Sequence, residues 1–243
     1  CFGSDWKEIY VINLESGQLL EDKIEWAKFS GAAWKGDGFY YSAYDAPTAG
    51  KEFSNVNENH KIYYHKLGDP QSKDKLAYQN PKYPKRFYTA SVSEDERVLF
   101  IYESGAGRGN ALHIQDLTKN NAPVIQLADN LDNTYYPIEV LGDRILFFTN
   151  DGASKYRIME ANLSAPQFKD WKELVPESKA VLSSAEIIGE KLILTYDKDA
   201  SNHSYIYGLD GKEISEIKLP ALGSVGFSGN KDDNEAFFVF TSF

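Results

Sequence analysis
The chain has 243 residues, 42% apolar and 14% aromatic, a formal charge of −10 and one cysteine. This composition supports a sizeable core and excludes disorder, while the charge opposes a phosphate backbone and argues against nucleic acid, despite a small Lys82, Lys85, Arg86 group. No stretch approaches the roughly 18 consecutive apolar residues of a membrane helix, the N-terminus has no signal-peptide pattern, and Cys1 alone permits no internal disulfide; a soluble chain with no membrane partner is expected.

The first predicted element is an apolar strand at 10–14 that ends in Leu14 before a turn. The same pattern returns at 63–67, 113–117, 159–163 and 206–209, with closing leucines 53, 50, 46 and 46 residues apart. Between the first two, residues 19–29 place Glu21, Asp22, Lys23 and Glu25 among apolar neighbours; bounded by Gly17, Gly31 and Gly36, they are expected to hold at most one helical turn. A second family of strands interleaves at 39–44, 98–102, 145–149, 192–196 and 236–240. The runs 98–102, 145–148 and 236–240 are almost wholly apolar, which predicts inner strands covered on both faces. The leucine-ended strands alternate instead, as Leu112 and Ile114 do against His113 and Gln115, which predicts strands nearer a rim. Turn residues at 35–38, 93–96, 141–143, 188–190 and 229–233 precede the inner strands and predict hairpins.

Repetition at this spacing predicts an all-β fold, a β-propeller of four-stranded antiparallel blades. Whole blades are expected near 28–79, 88–128, 135–176 and 181–220. Residues 7–22 supply only one pair of strands and 223–243 only another, so the chain is expected to be cut from a longer protein, with a half-blade at each end. Exposed apolar faces and strand edges promote association, so the two halves are expected to pair, or to pack on a second copy.

Motifs for chemistry are sparse. His65 and His113 fall on leucine-ended strands and, with His60 and His203, are read as packing or surface residues. A nucleophile elbow needs Gly-x-Ser-x-Gly, which is absent; the string at 226–229 has the wrong spacing. The glycine string at 105–109 lacks both the dinucleotide and the Walker spacing, and is read as a loop within a blade. Residues 197–202 alternate oxygen ligands but lack the glycine and distal glutamate of a calcium loop, which leaves a solvated turn. Asp232 and Asp233 are read as a solvated hairpin tip. No catalytic residue, cofactor or metal is therefore assigned.

Several strings occur together in one order: Gly3-Ser4-Asp5-Trp6, Lys28-Phe29-Ser30-Gly31-Ala32-Ala33-Trp34, Phe39-Tyr40-Tyr41-Ser42-Ala43-Tyr44, Tyr63-Tyr64-His65-Lys66-Leu67-Gly68, Trp171-Lys172-Glu173-Leu174-Val175-Pro176-Glu177, Gly223-Ser224-Val225-Gly226-Phe227-Ser228-Gly229 and Phe240-Thr241-Ser242-Phe243. Over essentially the whole chain they closely resemble the propeller domain of prolyl oligopeptidase.

That resemblance implies a seven-bladed propeller, of which about five blades are matched, joined to an α/β-hydrolase domain whose Ser, Asp and His cut short peptides after proline. It implies a noncatalytic gate that admits proline-containing oligopeptides and partners its own hydrolase domain; the compartment, cytoplasm or periplasm of an expected bacterial source, stays open. The chain alone is expected to be inactive. Family propellers line the pocket for the third substrate residue upstream of the cut; Phe29 matches the aromatic there. Phe87 falls where mammalian members carry Met, and Ala106 where they carry Cys. Glu103 falls where they carry a substrate-facing Arg, reversing the local charge, and Arg108 is near enough in sequence to replace it. The alternative is a free-standing propeller that binds a peptide or protein.

Overall fold
A computed structural model describes residues 5–48, 50 and 56–242; Gly3, Ser4 and Phe243 of the strings above lie outside them. The chain divides into two compact units, Cys1–Asp132 and Asn133–Phe243.

In the first unit, β1 (Lys7–Ile12), β2 (Leu19–Ala27), β4 (Gly38–Ala43), β5 (Lys61–Lys66) and β6 (Lys75–Gln79) form one antiparallel sheet in that order, with β3 (Ala33–Lys35) also paired to β4. A second sheet holds β7 (Phe87–Val92), β8 (Val98–Ser104), β9 (Ala111–Asp116) and β10 (Ile125–Ala128), each beside its neighbour in sequence. Short turns make this meander the simplest pairing. Tyr40, Ile62, Tyr88, Leu99 and Ile101 form a buried cluster contributed by both sheets. Full burial of an aliphatic or Phe side chain contributes about 1.5–3 kcal/mol, so this layer is a main source of the unit's stability.

The join between the β1–β2 hairpin and the rest of its sheet is unusual. Main-chain pairing between β2 and β4 is limited to Ala27 opposite Ala43. Side chains complete it: the Gln71 amide accepts from the Glu25 N–H at 2.9 Å and donates to the Glu25 carbonyl at 3.0 Å, standing in for a neighbouring peptide group. His65 sits between two carboxylates, with Nε2 3.0 Å from Asp22 and Nδ1 2.8 Å from Asp74. Both ring nitrogens face carboxylate acceptors, an arrangement that favours the protonated ring. Burial opposes that charge, but the bonds to Asp74 and Asp22 outweigh it and raise the His65 pKa above 6.5.

The second unit repeats the plan. Its sheets are β11 (Tyr135–Leu141), β12 (Arg144–Thr149), β13 (Arg157–Asn162) and β14 (Lys172–Val175), then β15 (Val181–Ile188), β16 (Lys191–Lys198), β17 (Ser201–Gly208) and β18 (Glu213–Ile217), and finally the hairpin of β19 (Gly223–Ser228) and β20 (Phe237–Ser242). Leu146, Ile158, Leu182, Leu192 and Leu194 form its core. Trp171 stacks on Phe147 at 4.1 Å and donates from Nε1 to the Pro166 carbonyl, satisfying its only polar atom. The solvated turn expected at 197–202 is the β16–β17 hairpin, with Asp199 and Ala200 left-handed.

Local outcomes differ from strand to strand. Residues 19–27 hold no helical turn and form a nine-residue strand: Asp22 and Ile24 are buried two residues apart, and a satisfied inward aspartate masks the apolar alternation. In strand β9 the polar face meets polar neighbours rather than water: Ala111, Leu112, His113 and Ile114 are all buried, with His113 against Glu103. Strand β20 reads as doubly covered, yet Phe237, Phe238 and Val239 are exposed.

Candidate functional site
All five sequence-derived site residues lie in the first unit, and two of them, Phe29 and Phe87, meet beside the segment 26–29. Both Trp26 and Phe29 have left-handed backbones, at φ 59° and 52°. A bulky residue there costs on the order of 1–2 kcal/mol, so the surroundings must hold it. His60 does so. The Tyr88 N–H donates to His60 Nδ1 at 2.8 Å, which leaves the proton on Nε2 to donate to the Lys28 carbonyl at 2.9 Å. Burial pushes the imidazole down to about 4, so it is neutral at physiological pH. A neutral histidine thus clamps the peptide carbonyl immediately before Phe29.

Phe29 remains 48% exposed, its ring 4.9 Å from Phe87 and 6.4 Å from His60. Lys28 Nζ lies 5.7 Å from the centre of that ring and 5.1 Å from that of Trp6, an arrangement suited to cation–π attraction. The result is a rigid apolar step at the surface with a cation beside it. Phe87 opens β7, directly after Arg86, which stacks on Tyr83 at 3.6 Å.

Glu103 lies beneath this surface rather than on it. Its side chain is fully buried, with Arg86 at 3.0 Å on one oxygen and His113 Nε2 at 2.9 Å on the other. Tyr78 and Asn80 approach the same carboxylate at 3.4–3.5 Å. Desolvation acts to raise its pKa, but the bonds from His113 and Arg86 prevail and hold it below the ordinary value. The charge that looked reversed in sequence is therefore compensated inside the sheet. Ala106 and Arg108 are exposed on the loop joining β8 to β9, and Arg108 has neither hydrogen bond nor ion pair among the described residues. That loop docks through Gly107, where an added Cβ would sit 2.1 Å from the Leu131 carbonyl oxygen.

The structure thus joins Phe29 to Phe87, links Glu103 to them through Arg86, and leaves Ala106 and Arg108 on a separate exposed loop. Sequence reasoning missed His60 and Arg86. Neither carries a motif; His60 had only its position just before a strand, and Arg86 its adjacency to Phe87. Among the described residues, no cluster of three or more His, Cys, Asp or Glu could hold a metal, and no helix is long and apolar enough to cross a membrane.

Successive antiparallel sheets, three of them of four strands that neighbour one another in sequence, are the mark of propeller-type, blade-repeat domains. Residues 2–243 match the family described as the prolyl oligopeptidase N-terminal beta-propeller domain. The chain belongs to that family. It is 35% identical over 243 residues to a prolyl endopeptidase of Elizabethkingia meningoseptica, covering 99% of this chain and 34% of that protein. A prolyl endopeptidase of Dictyostelium discoideum is 31% identical over 251 residues, covering 92% of this chain and 33% of the relative. A solved structure from a study of inter-domain dynamics in two prolyl endopeptidases superposes with a TM-score of 0.88 at 35% identity, covering 99% of this chain and 35% of that one. Prolyl oligopeptidase B of Galerina marginata, solved bound to a 35mer hydrolysis and macrocyclization substrate, shares the fold at a TM-score of 0.85 and 24% identity, covering 99% of this chain and 36% of that one. The chain spans about a third of the length of these relatives.

Proposed function
We propose that this chain is the noncatalytic gate of a serine-type prolyl endopeptidase, its blades near 28–79, 88–128, 135–176 and 181–220 and its end segments 7–22 and 223–243 forming part of a larger propeller. In this reading a hydrolase domain supplies the nucleophile, and the propeller admits only peptides small enough to reach it. Phe29 and Phe87 form the outer apolar wall for the substrate residue third upstream of the cut, and Arg108 supplies a cation to the substrate's N-terminal part. Glu103 contributes indirectly, by fixing Arg86 next to Phe87.

The observation that carries this reading is the exposed Phe29 ring, held on a strained backbone by the His60 clamp. Strain kept at an exposed aromatic points to contact with a ligand, since folding alone favours a relaxed residue there. The test is Phe29→Asn in the parent enzyme, because Asn tolerates the left-handed backbone while removing the ring. For proline peptides with a large apolar residue at the third upstream position, kcat/KM should fall by about tenfold, the loss expected for about 1.4 kcal/mol of apolar contact. Glycine there should largely abolish the difference. An equal effect on both peptides rejects the wall, and serine-reagent-sensitive turnover by the isolated chain rejects its noncatalytic role.

A further inference from the structure
The second unit holds a recess of about 300 Å³, lined by Thr134, Tyr136, Phe148, Ser183, Ser184 and Glu186. That volume is at the lower end of small-ligand sites, roughly 300–1,000 Å³. Tyr136 on β11 and Phe148 on β12 are paired across the ladder and form its apolar side. Phe148 also stacks on Tyr156 at 4.4 Å and 15°, which fixes its ring. The opposite side comes from β15, where a register shift between Leu182 and Ser184 inserts Ser183 as an extra residue. Ser184 and Glu186, two apart, share a face, and the Ser184 hydroxyl donates to Glu186 at 3.4 Å.

Glu186 differs from the buried carboxylates Glu103 and Asp22. Glu103 is held by Arg86 and His113 and Asp22 by His65, whereas Glu186 has no ion pair among the described residues and only the long Ser184 bond. Burial raises its pKa above the usual glutamate value, with Ser184 opposing weakly. A carboxylate in this position gains most from a counterion brought by a ligand. An anion would be repelled. A hard divalent cation would need 6–8 oxygen ligands, which aromatic walls do not supply. A neutral apolar ligand would bury the carboxylate without compensating it.

We propose that this recess binds a protonated amine or guanidinium carried on an apolar arm, the chemistry of a lysine or arginine side chain. The cation pairs with Glu186 beside the Ser183, Ser184 and Thr134 hydroxyls, and the arm packs against the Tyr136–Phe148 pair, where the aromatic faces add cation–π attraction. The chain's charge of −10 raises the local concentration of such ligands. Nothing in this inference depends on the gating role.

The test titrates the full 243-residue chain with acetyl-Gly-Lys-Gly-amide, its norleucine counterpart and free n-butylamine, by calorimetry and by NMR shifts of residues 134–136 and 183–186. The lysine peptide should bind and the norleucine peptide should not. Binding of butylamine as well assigns the site to amines in general, and its failure beside a binding lysine peptide assigns it to peptides. Glu186→Gln should weaken the lysine peptide by about tenfold or more, the loss expected for a charge-assisted hydrogen bond. Tyr136→Ala, at a 57% exposed position, provides a second variant with little effect on folding, and should weaken both amines severalfold. Equal binding of the lysine and norleucine peptides, no binding of either amine at millimolar concentration, or unchanged affinity in a folded Glu186→Gln chain overturns the proposal.

Discussion

Acidification should loosen the first unit through His60. The ring is completely buried, its Nδ1 lone pair is taken by the Tyr88 N–H, and its Nε2 proton is given to Lys28. Protonation at Nδ1 would break the Tyr88 bond and place an uncompensated cation among Phe29, Tyr44 and Tyr88, whose rings lie 4.4–6.4 Å away. The folded value accordingly drops from 6.5 to about 4. Between those values the unfolded chain takes up a proton that the folded chain refuses. Stability from this group is thus full above pH 6.5 and declines as pH falls, with about 2.5 kcal/mol lost by pH 4.5. The assay is urea unfolding at pH 7 and pH 4.5 for the natural chain and for His60→Gln, whose amide can accept from Tyr88 and donate to Lys28 without titrating. Acid losses from carboxylates such as Asp22 and Glu103 occur in both proteins and cancel. The natural chain should lose about 2.5 kcal/mol more than the variant. Equal losses, or a His60 ring that titrates near 6.5 by NMR, would refute the clamp.

The other histidine bracket responds in the opposite direction. His65 has a raised pKa, so its contribution is complete below 6.5 and disappears as pH climbs through the raised value; Asp22→Asn should bring its NMR titration down, and an unchanged titration would contradict the bracket. Gly107→Ala should destabilise the chain by about 1–3 kcal/mol, because its Cβ would overlap the Leu131 carbonyl, and should lower the thermal midpoint more than Gly105→Ala, whose nearest contact is a side-chain carbon at 3.1 Å. Identical midpoints for the two variants would remove the docking constraint.

What the sequence made legible was the part governed by local patterns. Leucine-ended strands, glycine-rich turns and continuous runs such as Val98 to Tyr102 depend on a period of two and on turn chemistry, and both survive in the fold as strands and hairpins. It failed where a polar side chain lies inside. Asp22 and His113 are buried because His65 and Glu103 complete their hydrogen bonding, and those partners are 43 and 10 residues away, so no window around either residue reveals its burial. Strand β20 misled for the converse reason: an apolar run states what a strand can bury, and in this chain Phe237 to Val239 remain exposed. At the site, Phe29 and Phe87 were found through resemblance. The clamp from His60 was not, since it recognises a main-chain carbonyl and leaves no mark in the identity of Lys28.

The junction of the β1–β2 hairpin with its sheet has an evolutionary consequence. Ordinary ladder bonds are made by atoms common to every residue, so most substitutions leave them intact. Here much of the polar fastening is written in three replaceable side chains, Gln71, Asp22 and His65, with one main-chain pair at Ala27. Descendants of this sequence could therefore tighten or release the hairpin by point mutation, in single steps, while the remaining strands keep their register unchanged.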